Sequence, residues 1–143
     1  MNLAQLREQI PALLASLGED ARSGALGPDA WVVHHGSAVG YVAILGAEEP
    51  EADPLLHVTF RIMRAPTDGA EAFFRTLLTL NHDLGSVASF SLDEQGQVWL
   101  GAGRFIEDLE PAGLREVIAQ TAQLADRYDD QLVETFGRDL ALE

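Results

Sequence analysis

The residues of this sequence best suited to metal chemistry are its four histidines, and their spacing argues against a shared site. His34 and His35 are adjacent, whereas His57 and His82 lie far from them in sequence. Neighbouring side chains on a β-strand point to opposite faces, so His34 and His35 cannot easily bind one ion. We therefore interpret all four as ordinary surface or core histidines and predict no metal site.

Nucleophilic and phosphate-binding motifs are also missing from the sequence. Ser86, Ser89 and Ser91 lie on a predicted strand without an adjacent base, and there is no Gly-x-Ser-x-Gly elbow. Residues 36–40 begin and end with glycine but lack the lysine and the strand-to-helix context of a P-loop. These absences predict no nucleophilic enzyme and no nucleotide cofactor.

Paired carboxylates are the last candidates for catalysis. Glu48 and Glu49 are adjacent, as are Asp129 and Asp130. An acid–base pair needs burial and two different environments, whereas these pairs have the character of solvated charge. We predict a non-enzymatic protein without a cofactor.

The charge of the chain limits its partners. Its 143 residues include 23 acidic and 9 basic side chains, for a net charge of −14, and every basic residue is arginine. Such a surface repels phosphate backbones and anionic lipids, and the arginines do not cluster. With no cysteine, no signal-like N-terminus and no long apolar run, the sequence predicts a cytoplasmic protein that contacts neither nucleic acid nor membrane.

The spacing of apolar residues predicts a single domain over residues 1–143. Helical periodicity predicts the helices, and alternating or β-branched runs between turn residues predict the strands. In chain order the predicted elements are a helix at 2–17, strands at 30–35, 38–45 and 55–64, a helix at 68–84, strands at 86–92 and 97–105, and a helix at 110–136. This α-β-β-β-α-β-β-α order predicts an α+β fold with three helices against an antiparallel sheet in two layers.

Several local features refine this prediction. Pro11 predicts a kink or a broken start in the first helix and Gly18 predicts its end, and residues 19–29 are predicted to be a loop. Asp68 predicts the start of the second helix as part of a weak capping box. In the last hairpin, a left-handed Gly96 predicts a register with Phe90 opposite Leu100 on one face and Ser91 opposite Trp99 on the other.

Two short motifs resemble a known family. One is residues 77–81, Leu-Leu-Thr-Leu-Asn, and the other is residues 90–100, Phe-Ser-Leu-Asp-Glu-Gln-Gly-Gln-Val-Trp-Leu, followed by Leu-Glu-Pro at 109–111. Together they resemble the YbjN-like family and the class I, CesT-like type III secretion chaperones, whose folds look alike. Glu110 stands where the family often has aspartate. The resemblance implies acidic homodimers that bind other proteins without hydrolysing nucleotide.

The second helix supplies the predicted dimer interface, because its apolar face is wider than packing on one sheet requires. The predicted interface residues are Phe73, Phe74, Leu77, Leu78 and Asn81. Asn81 has two interpretations. Its amide could bond to local backbone near the helix end, or it could fix the register of the dimer as buried asparagine does in coiled coils.

The function that follows is capture of a client protein segment, one with basic residues being favoured by the acidic surface. The predicted client-binding side chains are Trp99, Trp31 and Met63, on a sheet face lined with glycine or along an edge strand. A dimer mate or a loop could instead cover Trp99. The alternative function is a regulatory or sensor domain that binds a small ligand, which would require a closed pocket with converging polar groups.

Overall fold

The computed structural model describes residues 1–17, 24–36, 38–49 and 53–137, and it confirms the predicted α+β fold. The predicted end of the first helix at Gly18 lies outside the described residues. In chain order the elements are α1 (Leu3–Ser16), β1 (Ala25–Gly27), β2 (Ala30–His35), β3 (Ala38–Leu45), β4 (Leu55–Arg64), α2 (Ala70–Leu84), β5 (Ser89–Leu92), β6 (Gln97–Phe105), a 3-10 turn (Ile106–Asp108) and α3 (Pro111–Phe136).

The strands form one antiparallel sheet in the order β1-β2-β3-β4-β6-β5. Strands β2, β3 and β4 follow one another as hairpins. Helix α2 then carries the chain past the position beside β4, so that the β5–β6 hairpin returns with β6 next to β4. The two longest strands, β4 and β6, therefore lie side by side near the middle of the sheet.

The inner face of the sheet forms the core with the helices. Alternate residues of β4, namely Leu56, Val58 and Phe60, are fully buried on this face. From β5, Phe90 meets Tyr128 of α3 edge to face, with ring centroids 5.5 Å apart. Burial of each large apolar side chain in this way contributes about 1.5–3 kcal/mol to the stability of the fold. The core thus holds the helices on one side of the sheet and leaves the opposite face to other contacts.

Gly40 shows how closely the inner face is packed. A Cβ atom on Gly40 would lie 2.5 Å from the ring of Phe60 on the neighbouring strand. A side chain at this position would displace that ring, so the aromatic core of β4 depends on glycine in β3.

Hydrogen bonds hold helix α1 in place at its N-terminus and at Arg7. The Asn2 side chain accepts a hydrogen bond from the Gln5 N–H at 2.8 Å, and the Gln5 side chain accepts one from the Asn2 N–H at 2.9 Å. These reciprocal bonds form a capping box. Arg7 donates two hydrogen bonds to Asp29, at 2.7 and 3.1 Å, and so links α1 to the start of β2. Helix α1 is continuous from Leu3 through Pro11 to Ser16, so the broken start expected at Pro11 is absent.

Several predicted boundaries are corrected. Strand β1 lies within residues 19–29, which were predicted to be a loop. It pairs with β2 at Ala25 and Gly27. Helix α2 begins at Ala70 after Gly69, whose φ of 71° is left-handed, and no Asp68 side-chain bond caps it. The register of the last hairpin is as predicted, and Gly96 adopts a φ of 82°.

None of the helices among the described residues is both long enough and apolar enough to cross a membrane.

Candidate functional site

The outer face of the sheet is the principal candidate surface. Its residues alternate with the core residues along each strand, and none of them is fully buried. No described helix packs over it in the way that the helices cover the inner face. The outward residues of the central strands are Val39, Tyr41, Ala43, Leu45, Leu55, His57, Thr59, Arg61, Trp99, Gly101, Gly103 and Phe105.

Trp99 lies half-buried on this face and its indole is held from two sides. Its Nε1–H donates a hydrogen bond to Asp93 Oδ2 at 2.9 Å. Its ring lies 6.0 Å from that of Tyr41, two strands away, at an interplanar angle of 49°. A partly exposed aromatic side chain whose polar atom is already bonded can offer its ring to a partner at little cost in conformational entropy.

Asp93 organises the turn that holds Trp99. Its Oδ1 accepts hydrogen bonds from the N–H groups of Gln95 and Gln97, both at 2.9 Å. The bond from Trp99, together with those from the Gln97, Gln95 and Gly96 backbone, lowers the pKa of Asp93 from its ordinary value. No sequence pattern predicts the bond between Asp93 and Trp99, which joins the turn to the strand.

The glycines of β6 do not leave the bare surface that the sequence predicted. A Cβ atom on Gly101 would lie 3.2 Å from His57 Nε2, and one on Gly103 would lie 3.5 Å from Leu55. The His57 and Leu55 side chains therefore lie over the two glycines. Burial lowers the pKa of His57, because the charged imidazole is less well solvated there.

Three apolar side chains cross one end of the outer face. Leu45 pairs with Leu55, and Leu55 pairs with Phe105 on the next strand. Leu45 is 47% exposed and Phe105 is 53% exposed. We call these three residues the apolar row, and together with Trp99 and Tyr41 they give the outer face a set of accessible apolar side chains.

Trp31 and Met63 do not lie on this face, which corrects their predicted placement. Trp31 is 3% exposed and Met63 is 0% exposed. Trp31 points inward with Val33, on the helix side of β2. A register shift between Arg61 and Met63 turns Met63 inward directly after the buried Ile62.

The predicted dimer residues of α2 divide into two groups. Phe73 and Leu77 are buried, and the Phe73 ring lies 5.0 Å from that of Phe136 on α3. Phe74 is half-buried against Phe73, and Leu78 is 69% exposed. Only Phe74 and Leu78 are therefore placed to meet another chain, in a shallow groove that also includes Glu71, Arg75 and His82.

Asn81 bonds to backbone, but to backbone of another element. Its Nδ2 donates to the Phe90 carbonyl at 3.2 Å, and its Oδ1 accepts from the Phe90 N–H at 2.6 Å. The side chain thus occupies the free edge of β5 in the place of a further strand. Both backbone groups of Phe90 are bonded by a single amide.

The structure gives less support to a ligand pocket or a metal site. A cavity of about 240 Å³ lies between β2 and α3, lined by residues that include Val33, His35 and Ile118. It is smaller than the roughly 300–1,000 Å³ of typical ligand pockets. In the part of the chain that the structure describes, no three histidine or carboxylate side chains are grouped so as to hold a metal ion.

Comparison with known families identifies the fold. A family model described as "T3SS (YopN, CesT) and YbjN peptide-binding chaperone 1", or TY-Chap1, matches residues 4–143. This chain belongs to the TY-Chap1 family. The resemblance drawn from the two short motifs is thereby confirmed. None of the curated proteins matches the sequence significantly.

Solved structures show the same fold as this TY-Chap1 chain. A chain of the ExsC–ExsE complex superposes with a TM-score of 0.63 at 19% identity, covering 89% of this chain and 96% of that one. A chain of the HopA1–SchA chaperone–effector complex gives 0.57 at 14% identity, over 91% and 98%. A chain of the ExoT–SpcS complex from Pseudomonas aeruginosa gives 0.56 at 17% identity, over 89% and 98%.

Proposed function

We propose that this TY-Chap1 chain binds an extended segment of a client protein on the outer face of its sheet. The observation that carries the proposal is the open face itself, with the held indole of Trp99 beside Tyr41 and the apolar row at one end. The family description, a peptide-binding chaperone, supports the same function. So do the relatives of similar fold, one of which is named as a chaperone in complex with an effector.

The chain acts without catalysis or a cofactor, in the cytoplasm, and its client carries basic residues. A net charge of −14 attracts a positively charged segment and disfavours acidic ones. The aromatic and aliphatic side chains of the outer face then supply the short-range contacts, which an extended segment can meet with alternate residues.

The active form is a homodimer that pairs through α2. Leu78, at 69% exposed, and the half-buried Phe74 lie on one stripe of the helix. Two copies related by a twofold axis would bury the same stripe from each chain. Because Phe73 and Leu77 are used within the subunit, the interface is narrower than the sequence predicted.

The sensor alternative is favoured by no comparable observation. The cavity of about 240 Å³ between β2 and α3 lies on the opposite side of the sheet from Trp99 and is below the roughly 300–1,000 Å³ of pockets that hold drug-sized ligands. Client binding and ligand sensing are separable, because a metabolite that binds the folded state raises its stability with no protein attached.

Trp99→Ala tests the proposal. Client proteins are captured from native lysate by the immobilised wild-type chain and by the variant, and are identified by mass spectrometry. Loss of a central aromatic anchor costs about 2 kcal/mol or more, so a client recovered by the wild type should be lost from the variant. Leu26→Ala, at an exposed site on β1, is the matched control. Equal capture by wild type and Trp99→Ala would disprove binding at this face.

A further inference from the structure

Strand β6 continues past the residues that pair with β5, and the unpaired part of its edge is a second feature that a client could use. The Asn81 bonds show which way the neighbouring backbone faces. Both the N–H and the C=O of Phe90 bond to Asn81, so they point away from β6. Since backbone groups alternate in direction along an antiparallel strand, Ser89 and Ser91 face β6, and their partners Gly101 and Trp99 face β5.

The same alternation sets the direction of the last residues of β6. Gly103 and Phe105 face the same way as Gly101, away from β4. The end of the strand agrees, because the N–H of the next residue, Ile106, turns toward β4 and donates to the Pro54 carbonyl at 3.1 Å. Strand β5 begins at Ser89, opposite Gly101, so none of its residues pairs with β6 beyond Gly101.

On the side that faces away from β4, residues 103–105 of β6 therefore form an open edge, to which no strand of the described residues is paired. The Gly103 carbonyl accepts a bond from Arg104 Nη1 at 2.7 Å. The Gly103 N–H and both backbone groups of Phe105 remain directed to this edge. The Phe105 side chain, 53% exposed, lies on the outer face next to it.

Charge indicates what kind of segment fits there. Exposed carboxylates follow β3, precede β4 and follow β6 at this same end of the sheet. They are Glu48, Glu49, Asp53, Glu107 and Asp108. The one arginine on the edge, Arg104, is engaged with the Gly103 carbonyl. A segment that brings lysine or arginine beside an apolar residue would satisfy both the carboxylates and the apolar row.

We propose that the open edge and the apolar row form a strand-addition site for an extended client segment in which apolar residues alternate with basic ones. This inference rests on the proposed function and adds to it the position and chemistry of the bound strand. The client continues the line of β5 along residues 103–105, with backbone bonds to the open edge and apolar side chains over Phe105 and Leu55. Beside β5 the sheet edge is covered by Asn81, so the added strand lies beyond Ser89, the first residue of β5.

The test uses a short fluorescent peptide in which valine alternates with lysine, and measures its Kd by anisotropy. Gly103→Pro removes the N–H that faces the edge without removing a bond to β4, since proline is tolerated at such positions. We expect its Kd to rise about fivefold to tenfold. Gly103→Ala keeps the N–H, and its Cβ would meet Leu55 at an ordinary 3.5 Å, so its Kd should stay within about twofold of wild type.

Two further measurements guard against a folding defect and against simple charge attraction. Phe105→Ser, on the exposed row, should also weaken binding. The same peptide N-methylated at alternate residues keeps its charge but loses backbone donors, and should bind at least about fivefold more weakly. Equal binding of the methylated and unmethylated peptides, or of Gly103→Pro and Gly103→Ala, would overturn the strand-addition site.

The outcomes separate this inference from the proposed function. Loss of binding in Trp99→Ala with full binding in Gly103→Pro would reject the open edge and leave client capture intact. If Trp99→Ala and Gly103→Pro both capture the client as well as the wild type does, the proposed function and the strand-addition site are both rejected. A lower molecular mass of Phe105→Ser in light scattering would show a second copy of the chain at this edge, and would overturn a client as its occupant.

Discussion

Asp93 links the turn of the last hairpin to the surface of the sheet. One carboxylate oxygen accepts the backbone N–H groups of Gln95 and Gln97, and the other accepts the indole N–H of Trp99. The carboxylate therefore fixes the turn and the tryptophan ring together. In the proposed complex, a client would meet a ring already held in position, which would reduce the entropy lost on binding.

This arrangement predicts a pH dependence of stability. The bonds lower the pKa of Asp93 below its ordinary 3.8, so its contribution is present above the unfolded-state pKa and is lost as pH falls through the folded-state pKa. Urea unfolding of wild type and Asp93→Ala should show a lower midpoint for the variant at neutral pH. The two midpoints should converge as the pH is lowered from about 5 to about 2.

Glu94→Ala is the control, since Glu94 is a neighbouring exposed carboxylate in the same turn. Its midpoint should follow that of the wild type across the whole range. A difference between wild type and Asp93→Ala that stays constant down to the lowest pH would contradict the role given to the Asp93 charge.

Asn81 connects two elements, because it joins α2 to the edge of β5 through Phe90. A side-chain amide matches the backbone donor and acceptor of one residue, so a single asparagine completes the ladder at the sheet edge. An open strand edge is a template for unwanted pairing, and this contact covers it with a helix.

Asn81→Ala should destabilise the fold by about 1–3 kcal/mol, because Phe90 would keep a donor and an acceptor without their partner. Amide hydrogen exchange offers a local readout. The Phe90 N–H should lose protection while the amide of Leu100, in the neighbouring β6, changes less. Thr79→Ala is the matched control, since Thr79 lies two residues earlier on α2 and bonds only within the helix. Unchanged exchange at Phe90 would exclude this edge contact.

Elements with strong periodicity were predictable from the sequence, whereas weak or irregular ones were not. The last hairpin was predicted in its correct register, because a one-residue slip would have mixed serine with leucine on both faces. Strand β1 was missed since Ala25–Gly27 is too short to show alternation. Met63 was misplaced because the register shift after Arg61 breaks the period of two in β4. Trp31 was misplaced because Val32 and Val33 give β2 no clear polar side.

The candidate site was predictable in part for the same reason. Trp99 follows from the hairpin register, which puts it opposite Ser91 and away from the core. Its bond to Asp93 and its contact with Tyr41 depend on side-chain geometry and on the pairing of distant strands. The apolar row likewise requires the β4–β6 pairing, which no local pattern specifies.

In the proposed homodimer, the interface depends on Leu78, which is 69% exposed beside the half-buried Phe74 in the groove of α2. Leu78→Asp should shift the mass measured by light scattering from dimer to monomer, because it places two like charges in a symmetric interface. The fold should survive, since this side chain contributes little to the subunit core. Phe74 is a poorer choice, because its ring stacks on the buried Phe73 at 5.7 Å.

Leu26→Asp provides the matched control for that experiment. Leu26 is 61% exposed on β1, at the other end of the strand order from β5 and α2. It receives the same change at comparable exposure, so its mass should remain that of the wild type. A dimer mass for Leu78→Asp would place the interface elsewhere on the chain.

The overall charge should govern how clients reach the surface. A net charge of −14 creates a long-range field that attracts a basic peptide, and the field is screened as the Debye length falls from about 30 Å at 0.01 M salt to about 8 Å at 0.15 M. For the valine–lysine peptide, stopped-flow measurements should show the association rate falling at least about tenfold over this range, with a smaller change in dissociation. A valine–threonine peptide of equal length, which has the same strand pattern without the charge, should show little change in either rate. If both peptides responded to salt alike, the acidic surface would have no part in selecting the client, and the apolar face and the strand edge would have to account for the selection.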